Sequence, residues 1–172
     1  AAGPEISGNL PHGCLTASVY SDNDVLNMSL LSKSCVYGMR AVLYVAGQPA
    51  GTRHVSISEI AKQLGLSFHF LTKILQGLTE CGILLSYRGP RGGVALGRPA
   101  DQITLLDIVE ALDGTETFES CILGLEGCGE RKPCPLHRQW ARQREALRKA
   151  LAGARLGTVG RQTQAGGFRL AD

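Results

Sequence analysis

Apolar residues recur with a helical period over most of this chain, and the breaks in that period divide it. From Ser32 to Gly47, Val36, Met39, Val42, Leu43 and Val45 cover most of a helix circumference, which predicts a central core helix. Ser32 or Ser34 can cap it, and Gly47 with Pro49 ends it. After a loop over Gln48–Arg53, Ser56 and Glu59 have the spacing of a capping box, followed by Ile57, Ile60, Ala61 and Leu64 at i, i+3, i+4 and i+7. Gly65 closes that short helix, and Ser67 caps a third one running to about Cys81. Phe70, Leu71, Ile74, Leu75 and Leu78 form its expected inner face, and His69, Thr72, Lys73 and Gln76 share the other. The period then changes. Ile83–Arg88 and Val94–Leu96 read as two short strands around Gly89-Pro90-Arg91-Gly92-Gly93, a hairpin with arginines at its tip. Thr104 and Asp107 open another capped helix, with Leu105, Ile108, Val109 and Leu112 inward and Gly114 at its end. A last helix is expected from about His137 to Ala152.

This order predicts a mainly α fold with a small β-hairpin: a winged helix-turn-helix DNA-binding domain plus a long C-terminal dimerisation helix. The expected divisions are an N-terminal tail over 1–27, the winged domain over 28–114, a cysteine-rich loop over 115–136, the dimerisation helix over 137–156 and a loose tail over 157–172. Gly3, Pro4, Gly8, Pro11 and Gly13 recur in the first tail without an apolar period, and Met28 reads as the natural start, with a remnant or an upstream extension before it.

Composition narrows the class. At 172 residues, with 44% hydrophobic, 19% charged and 5% aromatic side chains, the chain can fill one aliphatic core. No apolar run approaches the roughly 18 residues that a membrane span requires. The start shows no basic region leading into an apolar stretch, so the reading is a soluble, cytoplasmic protein without membrane contact. Lys and Arg exceed Asp and Glu by 18 to 15, a charge of +3 that permits nucleic acid as a partner without arguing for it.

The candidate chemistry lies in two places. His69, Thr72, Lys73 and Gln76 project together from the third helix, as groups able to donate to phosphates or to base edges in a major groove. Arg88 and Arg91 on the glycine-rich tip suit the minor groove, where negative potential attracts arginine. Ser67 is explained by capping alone, with a phosphate contact as an addition. The second place is the crowded stretch holding Cys121, Cys128 and Cys134, with Gly124, Gly127, Gly129, Pro133 and Pro135 between or beside them and His137 close behind. Soft thiolates on flexible backbone favour zinc or an iron–sulfur cluster, and imidazole is a plausible fourth donor. Zinc sites more often pair cysteines two to four residues apart, a spacing not found here. A cluster, zinc and three metal-free thiols therefore all stand on the residues alone. Cys35 and Cys81 read as small buried hydrophobes, and Cys14 falls in the tail without a role. An enzyme using Cys128 or Cys134 with His137 is disfavoured, because no Gly-rich phosphate loop, no further acid or base grouped with them and no cofactor fold accompanies them, and no small-molecule substrate is expected. In the last helix Leu136, Trp140, Leu147 and Leu151 make a narrow apolar seam among arginines, read as a dimer seam rather than a core face.

Several stretches carry a family likeness. Met28-Ser29-Leu30-Leu31-Ser32-Lys33-Ser34 with Tyr37-Gly38-Met39-Arg40-Ala41, Leu71-Thr72-Lys73-Ile74-Leu75, the wing from Arg88 to Gly93, and Ile103 to Ile108 resemble the IscR/NsrR-type iron–sulfur winged-helix regulators of bacteria, most closely the IscR-like branch. The three-cysteine loop, Cys134-Pro135-Leu136-His137 and Trp140 continue the likeness, which covers about Met28 to Ala152. The resemblance implies a homodimer on a partly palindromic double-stranded operator, sensing cluster, iron, redox or nitric oxide status. It implies Ser67, His69, Thr72, Lys73 and Gln76 as the recognition-helix residues facing bases, with Arg88 in the wing. His137 falls where the IscR-like branch places its histidine ligand. Nitric-oxide-sensing relatives take a carboxylate from the partner's first helix, at a position near Val36, and valine cannot ligate. The resemblance thus implies a [2Fe–2S] cluster on Cys121, Cys128, Cys134 and His137. The first cysteine gap is one residue longer than in that branch, and His69, Thr72 and Lys73 differ from its identities.

Overall fold

The computed structural model describes residues 30–49, 52–89, 92–164 and 169–170. Six α-helices and one hairpin follow in the order α1 (Lys33–Ala46), α2 (Ile57–Leu64), α3 (Phe68–Glu80), β1 (Leu84–Tyr87), β2 (Gly93–Leu96), α4 (Leu105–Leu112), α5 (His137–Gly153) and α6 (Leu156–Gln164), with 3-10 turns at Ala100–Gln102 and Thr115–Phe118. This is the winged helix-turn-helix that the pattern of the chain predicts.

The helices start where side chains replace missing backbone partners. Ser32, Ser56 and Ser67 each accept from the backbone N–H three residues on, and Thr104 and Asp107 complete a reciprocal capping box. The expected box at Ser56 is only half formed, because Glu59 Oε1 instead accepts from the Tyr44 hydroxyl at 3.0 Å. Gly65 ends α2 at φ +66, a left-handed position that glycine adopts without strain, and this bend sets α3 across α2.

The core gathers Ala41, Val42 and Val45 of α1, Ile60 and Leu64 of α2, Leu71, Ile74, Leu75 and Leu78 of α3, and Ile108 of α4. Gly38 lets α1 approach closely: a Cβ there would stand 2.4 Å from Leu112 Cδ1 and 3.2 Å from Ile74 Cγ2. The antiparallel hairpin pairs Leu84 with Leu96 and Tyr87 with Gly93. Val55, which the apolar pattern assigns to no element, adds a one-residue antiparallel bridge to the hairpin, exchanging two 2.8 Å bonds with Val94. The expected loose tail over 157–172 is corrected in part. α6 packs against α1 with Leu156 fully buried, and Gly160 sits where a Cβ would meet Ala46 at 3.1–3.2 Å. Its glycines are sites of close approach rather than loop signals. The first tail, Met28 and Cys14 lie outside the described residues. Among the described residues, no helix is long and apolar enough to cross a membrane.

Candidate functional site

The candidate recognition face is on α3, whose inner stripe of Leu71, Ile74, Leu75 and Leu78 is buried and fixes which side looks out. His69, Lys73 and Gln76 are exposed together on that outer side, and Thr72 is half-buried beside them. The Thr72 hydroxyl donates to the Phe68 carbonyl at 2.7 Å, and Gln76 Nε2 donates to Glu80 Oε1 at 3.1 Å. His69 and Lys73 are thus the more available donors. Ser67 is occupied as the N-cap, its hydroxyl accepting from Phe70 N at 3.2 Å. Arg88 is exposed on the wing, and Arg91 lies outside the described residues.

Phe70 differs from its expected inward placement. It is 37% exposed, and Phe68 is 45% exposed. At about 100° per residue both rings fall on the borders of the buried stripe, one on each side of the polar row. Phe70 meets Tyr37 edge-on at 5.8 Å, and the Arg40 guanidinium lies 5.5 Å over the Tyr37 ring. At the wing base, His54 stacks on Tyr87 at 5.1 Å with Arg53 5.9 Å from the same ring. These flanking aromatic and basic groups were missed in the sequence. Their signal was the angular position of Phe68 and Phe70, at the edge of the stripe rather than its centre.

The second site gathers after α4. The chain passes through the 3-10 turn Thr115–Phe118 and a glycine-rich excursion before α5 begins at His137. Gly124 and Gly127 take φ +64 and +66, which lets this stretch fold back on itself. The Sγ atoms of Cys121, Cys128 and Cys134 all lie within 4.8 Å of one another, and those of Cys121 and Cys134 are 3.7 Å apart. His137 Nδ1 is 3.5 Å from Cys128 Sγ. Backbone N–H groups of Leu125 and then Leu123 aim at Cys121 and pull its thiol down to about 7, into the range where thiolate is available as a ligand. At Cys128 a backbone bond from Cys134 lowers the thiol, but desolvation and the neighbouring Cys121 and Cys134 more than offset it, and the net direction is upward. Three soft donors with an imidazole beside them fit a thiolate-bound metal or cluster by donor chemistry and mutual distance.

The loop is tied to α5 at its first cysteine. Trp140 Nε1 donates to the Ser120 carbonyl at 3.0 Å, and Arg144 Nη1 donates to the same carbonyl at 2.6 Å and to that of Glu119. Trp140, Leu147 and Leu151 are half-buried within this one chain, while Leu136 is 40% exposed. The seam therefore has partners of its own, and α5 lies along α4. No α5 residue is fully buried, however. Ile122, Leu123 and Leu125 stand half exposed around the cysteines. Cys35 is buried as expected; Cys81 is half-buried at the end of α3 and is not a free thiol.

Comparison with known proteins places this geometry. The profile of the Rrf2 family, iron-dependent transcriptional regulators, matches residues 31–162. A protein of Aquifex aeolicus (strain VF5) classed as an HTH-type transcriptional regulator is 31% identical over 126 residues, which are 72% of this chain and 86% of that protein. Protein aau3 of Rhizobium meliloti (strain 1021) is 38% identical over 122 residues, 70% of this chain and 73% of its own. CymR, the global cysteine regulator of B. subtilis, superposes with a TM-score of 0.63 at 28% identity, covering 76% of this chain and 95% of CymR. IscR of T. potens shares the fold, with a TM-score of 0.61 at 24% identity over 81% of this chain and 92% of that one. A winged helix-turn-helix, and a family match running from residue 31 through the cysteine loop into α6, lead to one conclusion: the chain belongs to the Rrf2 family of iron-dependent transcriptional regulators, and its winged helix-turn-helix binds DNA.

Proposed function

We propose that this regulator works as a homodimer on a partly palindromic operator and reads iron–sulfur status through a [2Fe–2S] cluster held by Cys121, Cys128, Cys134 and His137. The observation that carries this reading is the convergence of three thiols within 4.8 Å, with the His137 ring 3.5 Å from Cys128. The description of the family as iron-dependent supports it. When bound, the cluster supplies a centre whose oxidation, loss or nitrosylation changes its charge and its hold on the four ligands. The chain's own residues do the rest. Cys121, Cys128 and Cys134 donate thiolates, and His137 donates a neutral imidazole nitrogen from the first turn of α5. Ligation orders the glycine-rich segment between α4 and α5.

On the other side, His69 and Lys73, with Thr72, Gln76 and Ser67, address the major groove, and Arg88 and Arg91 address the minor groove. Two such heads on one duplex face require half-sites about one helical turn, or a multiple of it, apart. The exposed Leu136 and the lack of any fully buried residue on α5 support this helix, with Trp140, Leu147 and Leu151, as part of the dimer surface.

The test is anaerobic purification followed by an absorption spectrum with iron, sulfide and zinc analysis. The expected result is a coloured protein with iron and sulfide in equal amounts, bleached by oxidant and altered in His137→Ala. Colourless protein with stoichiometric zinc would overturn the cluster. A second reading rests on the 3.7 Å separation of Cys121 and Cys134: a thiol switch without metal. Metal-free protein after reconstitution, with those two cysteines oxidised to a disulfide, would favour it.

A further inference from the structure

Closing a loop on a metal requires its far end to be held near, and here the far end is held by α5. Cys121 stands 13 residues before Cys134, and the intervening chain bends through Gly124 and Gly127 at positive φ. A segment this flexible loses considerable entropy when its ends are brought together. His137, Trp140 and Arg144 lie at i, i+3 and i+7 of α5 and so share one face. The first neighbours the thiols. The other two converge on the Ser120 carbonyl, one peptide ahead of Cys121, at 3.0 and 2.6 Å.

We infer that Trp140 and Arg144 are positioning residues of the metal centre: they clasp the end of the 3-10 turn onto α5 and so hold Cys121 against Cys134. This inference rests on the reading of the three-cysteine loop as a metal site. Glu119 and Ser120 N–H groups both donate to the Glu116 carbonyl at 2.9 Å, which fixes the turn that presents the two clasped carbonyls. At the other end the His137 N–H donates to the Cys134 carbonyl at 3.0 Å, so the first turns of α5 grip the loop at both of its ends. Packing alone does not account for Arg144. It occupies a place in an otherwise apolar row of Trp140, Leu147 and Leu151, where a half-buried guanidinium is costly unless donors are used; Nη1 is used twice, while the buried Nε has no partner among the described residues. Cationic N–H bonds to carbonyls are among the stronger ones available to the chain.

The clasp is tested in the full-length protein with Trp140→Phe, Arg144→Met, the double variant and Arg144→Lys. Hydrogen exchange on metal-free protein reports the clasp directly. The double variant is expected to exchange over residues 119–125 roughly tenfold faster, with the α3 core unchanged, from the loss of three hydrogen bonds. Cobalt(II) alone, added anaerobically, reports the ligands. With three thiolates in the wild type, the thiolate-to-cobalt absorption per bound ion is expected to fall by about a third in the double variant as Cys121 leaves the set. Arg144→Lys, which keeps a cationic donor, is expected to retain most of that signal. Wild-type exchange and a full three-thiolate spectrum in the double variant would overturn the clasp. If the wild type binds no cobalt, the metal reading itself fails, and unchanged exchange over residues 119–125 then overturns the clasp separately. Should the double variant fail to fold, Trp140→Phe, which removes one N–H and keeps a ring, decides by the same two readouts.

Discussion

Cys35 lies fully buried in the first turn of α1, with the Asp113 carboxylate beside it. Burial first, then the charge of Asp113 and a hydrogen bond to it, push its thiol far above the usual range. Cys121 shows the opposite, pulled down to about 7 by backbone N–H groups. In metal-free protein at neutral pH, iodoacetamide is therefore expected to label Cys121 first and Cys35 only after denaturation, which peptide mass spectrometry resolves. The same shift sets a pH dependence. Cys35 is raised in the folded state, so its contribution is complete below the ordinary thiol value of 9.0 and is lost as pH rises above it, when the unfolded chain ionises first. Tyr44, raised by burial and its bond to Glu59, acts in the same direction. Urea midpoints measured between pH 7 and pH 10 are expected to fall in the alkaline part, and Cys35→Ala to flatten that fall. On the recognition face, Lys73→Ala and Arg88→Ala are expected to weaken duplex binding across sequences and reduce the salt slope by about one each, if both meet phosphates. His69→Ala is expected to change sequence preference more than the salt slope, as a competition assay would show.

The elements hold together through a few close fits that differ in how legible they were. Caps on Ser32, Ser56, Ser67 and Thr104 are written in local spacing, and each helix begins where that spacing puts it. α6 was not legible, because Gly157 and Gly160 look locally like loop residues, and only the arrival of α1 and Asp101 explains them. Phe70 was misplaced because period alone does not tell the edge of a buried stripe from its middle. The Trp140 and Arg144 bonds to Ser120 join residues at least 20 apart, so no local pattern contained them. The convergence of the cysteines was legible only as a possibility of flexible backbone. Gly38 tests the packing of α1 on α3 and α4: Gly38→Ala pushes a methyl against the Leu112 side-chain end and Ile74, an overpacking cost of about 1–3 kcal/mol from which about 0.5–1 kcal/mol of helix propensity is recovered, so a net loss of up to about 2 kcal/mol is expected from urea denaturation. Asp113, just past α4, accepts from Ser32 N at 2.8 Å and from the Ser32 hydroxyl at 2.5 Å. Asp113→Ala is expected to destabilise by about 1–3 kcal/mol, since the half-buried donors at the start of α1 lose their partner.

At the scale of the whole molecule, the cysteine loop is bracketed by elements that return to the DNA-binding head. α4 precedes it and is joined through Asp113 to the first turn of α1; α5 follows it and leads into α6, which lies along α1. Leu105 N bonds the Ala154 carbonyl at 2.9 Å, and Leu156 N bonds the Ile103 carbonyl at 2.9 Å, closing α4 and the α5–α6 junction against each other. On the proposed metal reading, ordering the loop between two such elements would give ligation a route to the position of α1 and so of α3. A ligand shifts DNA affinity only by its different affinity for the free and DNA-bound arrangements. The direct measurement is the affinity of the anaerobically purified, loaded protein and of the same protein stripped of metal, for a duplex selected from a random pool with the loaded form. The account predicts a difference of about tenfold or more, a coupling of about 1.4 kcal/mol, that is lost in Cys134→Ala. Equal affinity and an identical footprint with and without the metal would contradict it, leaving a DNA-binding head whose cysteine loop takes no part in sensing.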